Sequence, residues 1–170
     1  MWGYDFNYLS LITDAYSKKI VGYHLHTNLS AEGSLEALDT ALKSRTRFLP
    51  ELIHHSDRGT QYCSFDYVLQ LRDSDIAISM TEDGEGYENQ IAERMNGILK
   101  TELISTHYKD ADTASKHIAR CITIYNYRRR HASLNWQIPQ QVHTQKGPQK
   151  RQWKNYYQKP KETEIEGAKN

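Results

Sequence analysis

Cysteine is almost missing from this chain of 170 residues, and each of the other shortages narrows what it can be. The two cysteines, Cys63 and Cys121, fall in presumptive helical segments without a CxxC or histidine-rich spacing, which argues against a disulfide framework and a zinc site. A reduced cytosol is the expected compartment. No apolar run is long enough to cross a bilayer and no signal-peptide pattern opens the chain, so a cytoplasmic protein without a membrane partner is expected. Charge of one sign is missing too: 22 basic and 21 acidic residues leave a net charge of +1, so any basic surface must be local. Phenylalanine and tryptophan are scarce at three each, whereas 12 tyrosines supply apolar surface in amphipathic form. With 38% hydrophobic residues and a mean hydropathy of −0.81, the chain reads as one polar globular domain large enough to bury a core.

What is present is ordered. Tyr8 to Thr13 and Ile20 to His26 are runs of β-formers around the turn Asp14 to Lys19, which predicts a hairpin. From the N-cap candidate Ser30 onward, Leu35, Leu38 and Leu42 recur at helical spacing. Leu49 to Ile53 predicts a buried strand that delivers Asp57 to its C-terminal end, where Gly59 lets the chain turn. Ser64 predicts the cap of a short helix with Phe65, Val68 and Leu71 inward, and Ile76 to Met80 predicts another strand. The order is β-β-α-β-α-β. Residues 81–87 read as a glycine-rich acidic surface loop.

Two helices follow. From Asn89 to about Thr106, Ile91, Met95, Ile98, Leu99 and Leu103 make one apolar face, and Asn89, Glu93, Asn96 and Lys100 gather on the other. From about Asp112 to Tyr127, the residues Ala114, Ile118, Cys121, Ile122 and Tyr125 are the inward set, and the helix ends in Arg128, Arg129, Arg130 and His131. From about Gln145 the chain turns polar without apolar periodicity, so residues 145–170 are expected to be a loosely ordered tail behind a domain of residues 1–144.

Asp57 and Glu93 are the candidates for chemistry. A carboxylate at a strand end facing another on a helix holds hard cations such as magnesium or manganese through oxygen. Lys100 lies seven residues beyond Glu93, two helical turns along, where its ammonium can meet a phosphate on the same face. Each residue also has a plainer reading. Asp57 suits a turn, Glu93 and Lys100 suit a solvated helix face, and the three arginines suit a helix end that complements its dipole.

Four segments carry a resemblance: YLSLITDAYSKKIVGY, HHSDRGTQYCS, YENQIAERMNGILKTE and YNYRRRHASLNWQIP. In that order, over about Tyr8 to Val142, they resemble the DDE-type insertion-sequence transposases with an integrase catalytic core, the group that encodes its enzyme in two overlapping frames. The resemblance implies an α/β, ribonuclease-H-like mixed sheet flanked by helices, and magnesium-dependent cleavage and transfer of DNA strands at the ends of a mobile element. It makes Asp57 the second acid, Glu93 the third and Lys100 a contact to element-end DNA. Asn89 and Asn96 on the same helix face, and the basic Arg128, Arg129 and Arg130, are further candidate DNA contacts. The implied partners are DNA and a second copy or full-length transposase, in a nucleoid-associated cytoplasmic setting.

Departures from the pattern set further expectations. The family's first catalytic aspartate sits on a central strand before the hairpin, and nothing ahead of Tyr8 matches it; Asp5 and Asp14 are not its counterparts. Asn89-Gln90 replaces the more usual Asn-Ala, and the family's upstream helical region that binds element ends has no match. A fragment that starts one strand late is expected to bind magnesium weakly, to be marginally stable or self-associating, and to be inactive alone. The rival readings are a non-catalytic DNA-binding or transposase-partnering fragment, a gene remnant, and a metal-dependent ribonuclease of the same fold.

Overall fold

A computed structural model describes residues 8–28, 30–46, 51–81, 90–104 and 107–148. Strands β1 (Tyr8–Thr13) and β2 (Ile20–His26) form the expected antiparallel hairpin. Helix α1 (Ala31–Lys43) follows, then β3 (Ile53–Ser56), α2 (Phe65–Asp73) and β4 (Ala77–Met80), with β3 and β4 parallel. Helix α3 (Gln90–Ile98) runs into a π-helical turn (Leu99–Leu103), and α4 (Ala111–Tyr127), a 3-10 turn (Ala132–Leu134) and α5 (Pro139–His143) complete the described chain.

The hairpin is the middle layer. On one face, Leu9, Leu11, Ile20, Tyr23 and Leu25 pack with Met95, Ile98 and Leu99 from α3 and its extension and with Ile118, Ile122 and Tyr125 from α4. Strict alternation would set Ile20 on the opposite face from Tyr23. The register shows why it is not: Thr13 faces Ile20 but Ile12 faces Gly22, so Val21 is an extra, bulged residue that reverses the parity of β2. On the other face lies α1, and Gly22 is what lets it approach, because a Cβ there would stand 2.2 Å from the Ala37 carbonyl oxygen. A second core joins Ile12, Leu35 and Leu38 to Tyr67, Leu71, Ile76 and Ile78, tying α1 to α2 and the parallel pair. Full burial of each large apolar side chain contributes about 1.5–3 kcal/mol.

Among the described residues the strands form two separate two-stranded sheets, β1 with β2 and β3 with β4. The mixture of antiparallel and parallel pairing with helices on both sides is the expected class. Asn126 replaces part of a strand neighbour: its side chain accepts from the Ile20 N–H and donates to the Ile20 carbonyl, both at 2.9 Å.

Several expectations are corrected. The strand before Asp57 is Ile53–Ser56 rather than Leu49 to Ile53; Ile53 is 60% exposed, and residues 47–50 lie outside the described set. The inward face of α2 is Tyr67 and Leu71, while Phe65 is 78% exposed. Tyr67 wins the buried position because its hydroxyl finds the His54 imidazole at 3.1 Å and its ring packs edge-on to Tyr62. The helix after residue 89 does not stay α-helical: Ile104 N–H reaches back to the Leu99 carbonyl, five residues away. Cys63 precedes α2 and is exposed, whereas Cys121 is buried in α4. The loop proposed at residues 81–87 lies outside the described residues apart from Thr81. So does the tail beyond residue 148, although its start is anchored, since Tyr16 donates to the Gly147 carbonyl at 2.8 Å.

Candidate active site

Asp57 follows directly on β3 and is exposed. Its Oδ1 accepts from the Gly59 N–H at 3.0 Å, an Asx turn that orients the carboxylate, and the Gly59 carbonyl in turn accepts from Tyr62 N at the approach to α2. The neighbouring Arg58 steadies the strand end by donating Nε to the Thr81 carbonyl at 2.8 Å, across the tip of β4. Beneath it lie two buried hydroxyls, Ser56 and Thr81, which find no partner among the described residues.

Glu93 stands exposed in the first turn of α3, where the helix dipole favours an anion. It lines an open hollow with Gln90, Arg94, Gly97, Thr101 and Glu102, along one side of the helix. Among the described residues no hydrogen bond or ion pair engages its carboxylate. Lys100 and Asn96 are exposed on the same helical unit, but the residues that line the hollow beyond Gly97 are Ile98, Thr101 and Glu102, and neither Lys100 nor Asn96 is among them. Asn89 lies outside the described residues. No cluster of three or more metal-ligating side chains forms among the described residues, and Asp57 is not part of the hollow beside Glu93.

The three arginines have different surroundings. Arg129 is engaged: its Nη2 and Nε donate to the two carboxylate oxygens of Glu102 at 2.7 and 2.8 Å, a fork that ties the end of α4 to the π-helical turn. The same hydrogen bond holds the Glu102 carboxyl below its usual range. Arg128 and Arg130 are exposed, and Arg130 donates to the Trp136 carbonyl at 3.0 Å. Beside them His131 is buried edge-on to Tyr125; burial first, and the Arg129 charge second, lower its pKa to about 4, so it is neutral and accepts from Arg129.

Another acid cluster sits apart from this surface. Asp14 in the hairpin turn accepts from the N–H groups of Tyr16 and Ser17, from the Ser17 hydroxyl, and from His143 Nδ1 at 3.0 Å. Burial alone would raise its pKa, but these hydrogen bonds outweigh it and the carboxyl sits below its usual range. With Ser17 fully buried, the trio is a clasp between the hairpin and α5. Sequence reasoning did not find Arg58, Glu102, Asn126 or His143, because each acts through a partner far along the chain.

Comparison with known proteins places the chain. Two family models, both described as "Integrase core domain", match residues 2–85 and 74–139. The transposase InsF for insertion sequence IS3fB of Escherichia coli K12 is 32% identical over 140 residues, covering 81% of this chain and 48% of the relative. A 31 kDa protein of insertion element IS600 from Shigella sonnei is 41% identical over 130 residues, covering 75% and 47%. The chain thus spans about half the length of these curated relatives. Among solved structures, the simian T-cell lymphotropic virus intasome superposes with a TM-score of 0.68 at 17% identity, over 84% of this chain and 50% of that one. The HTLV-2 integrase catalytic core domain in complex with magnesium gives 0.59 at 16% identity, over 77% and 80%. The fold is that of an integrase catalytic core, and the chain belongs to the insertion-sequence transposases built on that core.

Proposed function

We propose that this chain is the catalytic-core portion of a transposase that cleaves and joins DNA strands at mobile-element ends, with Asp57 and Glu93 as two carboxylates of its metal site. The observation that carries the reading is the pair itself: one exposed carboxylate closes a strand, the other opens a helix, and among the described residues neither is taken up in an ion pair. Their hard oxygen donors suit magnesium or manganese. When bound, such ions stabilise the attacking and leaving oxygens of a displacement at phosphorus. Arg58 and the Asx turn orient Asp57, Glu93 is held on a helix packed through Met95 and Ile98, and Lys100, Asn96, Arg128 and Arg130 meet phosphates. Asn89 is assigned the same role. Arg129 acts indirectly, through Glu102.

The partners in this reading are element-end and target DNA and a second copy of the chain or a full-length transposase, in the cytoplasm at the nucleoid. Two carboxylates hold a metal pair poorly, so the 170 residues alone are expected to be inactive or nearly so. The test is magnesium-dependent nicking of element-end duplex by this chain, alone and joined to a preceding strand that bears an aspartate. Cleavage that appears only in the extended protein and vanishes in Glu93→Gln supports the reading; no cleavage in either sinks it. A second reading, a DNA-binding fragment without catalysis, is favoured by the exposed Arg128 and Arg130; it requires Glu93→Gln to leave DNA binding unchanged and cleavage to be absent throughout.

A further inference from the structure

The segment His131 to Gln137 is built more rigidly than a surface connection needs to be. His131 N donates to the Gln137 carbonyl, Trp136 N to the His131 carbonyl and Gln137 N to the Leu134 carbonyl, at 3.1, 2.9 and 3.1 Å. Its base is sunk in the protein through His131 and Leu134, and Pro139 and Val142 fix the exit. On top, Trp136 is 64% exposed. Its backbone is left-handed, with φ of 61°, directly after Asn135 at 55°. Asparagine tolerates that region; a tryptophan there is strained by about 1–2 kcal/mol. A chain that holds its largest apolar side chain in water, on a strained and heavily bonded loop, forgoes stability twice at one residue.

The surroundings say what the ring is for. Arg130 grips the Trp136 carbonyl, and Arg128 and the exposed Tyr127 precede it at the end of α4. Through Arg129 and its fork to Glu102 this surface continues into the hollow lined by Glu93 and Arg94. A planar aromatic face beside exposed guanidinium groups matches a nucleobase with its attached phosphate, since every base offers a π-face and arginine meets the backbone. The charged groups on this side, Arg128 and Arg130, are both cationic, which suits an anionic ligand.

Resting on the DNA reading above, we propose that Trp136 is a base-stacking platform: it receives an unpaired base of single-stranded or frayed element-end DNA, while Arg130 and Arg128 take the adjoining phosphates. The buried neutral His131 keeps the loop's base uncharged, so the positive charge sits at the rim.

The chain has three tryptophans, Trp2, Trp136 and Trp153, so a Trp2→Phe/Trp153→Phe background makes emission report on Trp136 alone. The probes are a mixed-sequence single-stranded oligonucleotide and its blunt duplex. The expected result is saturable quenching by the single strand, stronger than by the duplex, and a loss of single-strand affinity of about tenfold to a hundredfold in Trp136→Ala. Trp136→Phe should keep most of the affinity. Trp136→Gly should lose it while raising the urea midpoint, because it relieves the left-handed strain; this separates stacking from a merely structural role. If the parent chain binds DNA but shows no quenching, and Trp136→Ala binds equally well, the platform is overturned and the DNA reading survives. If the parent binds neither probe, both fall. A change in sedimentation without a change in DNA affinity would assign the ring to a contact between copies and overturn the proposal.

Discussion

Asp14 and Asp57 are both aspartates at the ends of β-strands, and the protein treats them in opposite ways. Asp14 accepts four hydrogen bonds, from Tyr16 N, from the N–H and hydroxyl of Ser17, and from His143, and fastens α5 to the hairpin. Among the described residues Asp57 accepts one, from Gly59, and it is exposed. The contrast extends around each site. Near the clasp, Tyr125, Asn126, His131 and Arg129 each have their polar atoms satisfied by a partner. On α3 and its extension, Glu93, Asn96 and Lys100 are exposed, and beside the end of β3 Ser56 and Thr81 are buried without partners among the described residues. A charged group that is fully hydrogen-bonded stabilises the fold and cannot easily serve a ligand. One left open contributes little to the fold and remains available.

The sharpest way to break the comparison is at the satisfied end. Tyr125 is fully buried, packs against Met95 and donates to the Lys18 carbonyl at 3.0 Å. Tyr125→Ala should cost about 3–5 kcal/mol, read from the urea midpoint. A loss below 1 kcal/mol would mean that this core is not what holds α4 to the hairpin.

Asp14→Ala should cost about 1–3 kcal/mol, because it removes the acceptor that the Tyr16 and Ser17 N–H groups and the Ser17 hydroxyl share. The pH dependence has a definite sign. A carboxyl whose folded pKa lies below its unfolded value near ~3.9 stabilises fully above that value and loses its contribution as pH falls through the folded pKa. Asp14→Ala should therefore flatten the acid limb below about pH 4. His131 works in a separate window. Its imidazole is neutral in the fold down to about pH 4 but takes up a proton in the unfolded chain near ~6.5, so stability falls as pH drops between those values. The slope reaches about 1.4 kcal/mol per pH unit, and His131→Gln should remove it from the stability profile.

At the open end the expected effects are smallest. Asp57→Asn and Glu93→Gln should each shift stability by less than about 0.5 kcal/mol. If either cost as much as Asp14→Ala, that carboxylate would belong with the structural set and its assignment as a metal ligand would fail.

Local pattern carried much of the fold. Both hairpin strands have the ends their β-formers imply, and α4 buries Ala114, Ile118, Cys121, Ile122 and Tyr125 as its period predicts. The errors share a cause. Tyr67 reads as amphipathic, and only the distant His54 makes its burial favourable, so Phe65 looks like the better inward residue. The π-helical turn at Leu99–Leu103 departs from the 3.6 period because packing against α4 and the hairpin sets it.

What the sequence determined by itself is the order of elements, the family, and Asp57 and Glu93 as the acids to watch, since these follow from short-range periodicity and from motif words. Tertiary structure alone decided which polar groups are already occupied. Arg129 is bound to Glu102 across 27 residues and Asp14 to His143 across 129, and no local pattern encodes such pairs. A side chain's availability depends on whether a distant partner satisfies its hydrogen bonds, and that is settled only when the chain is packed.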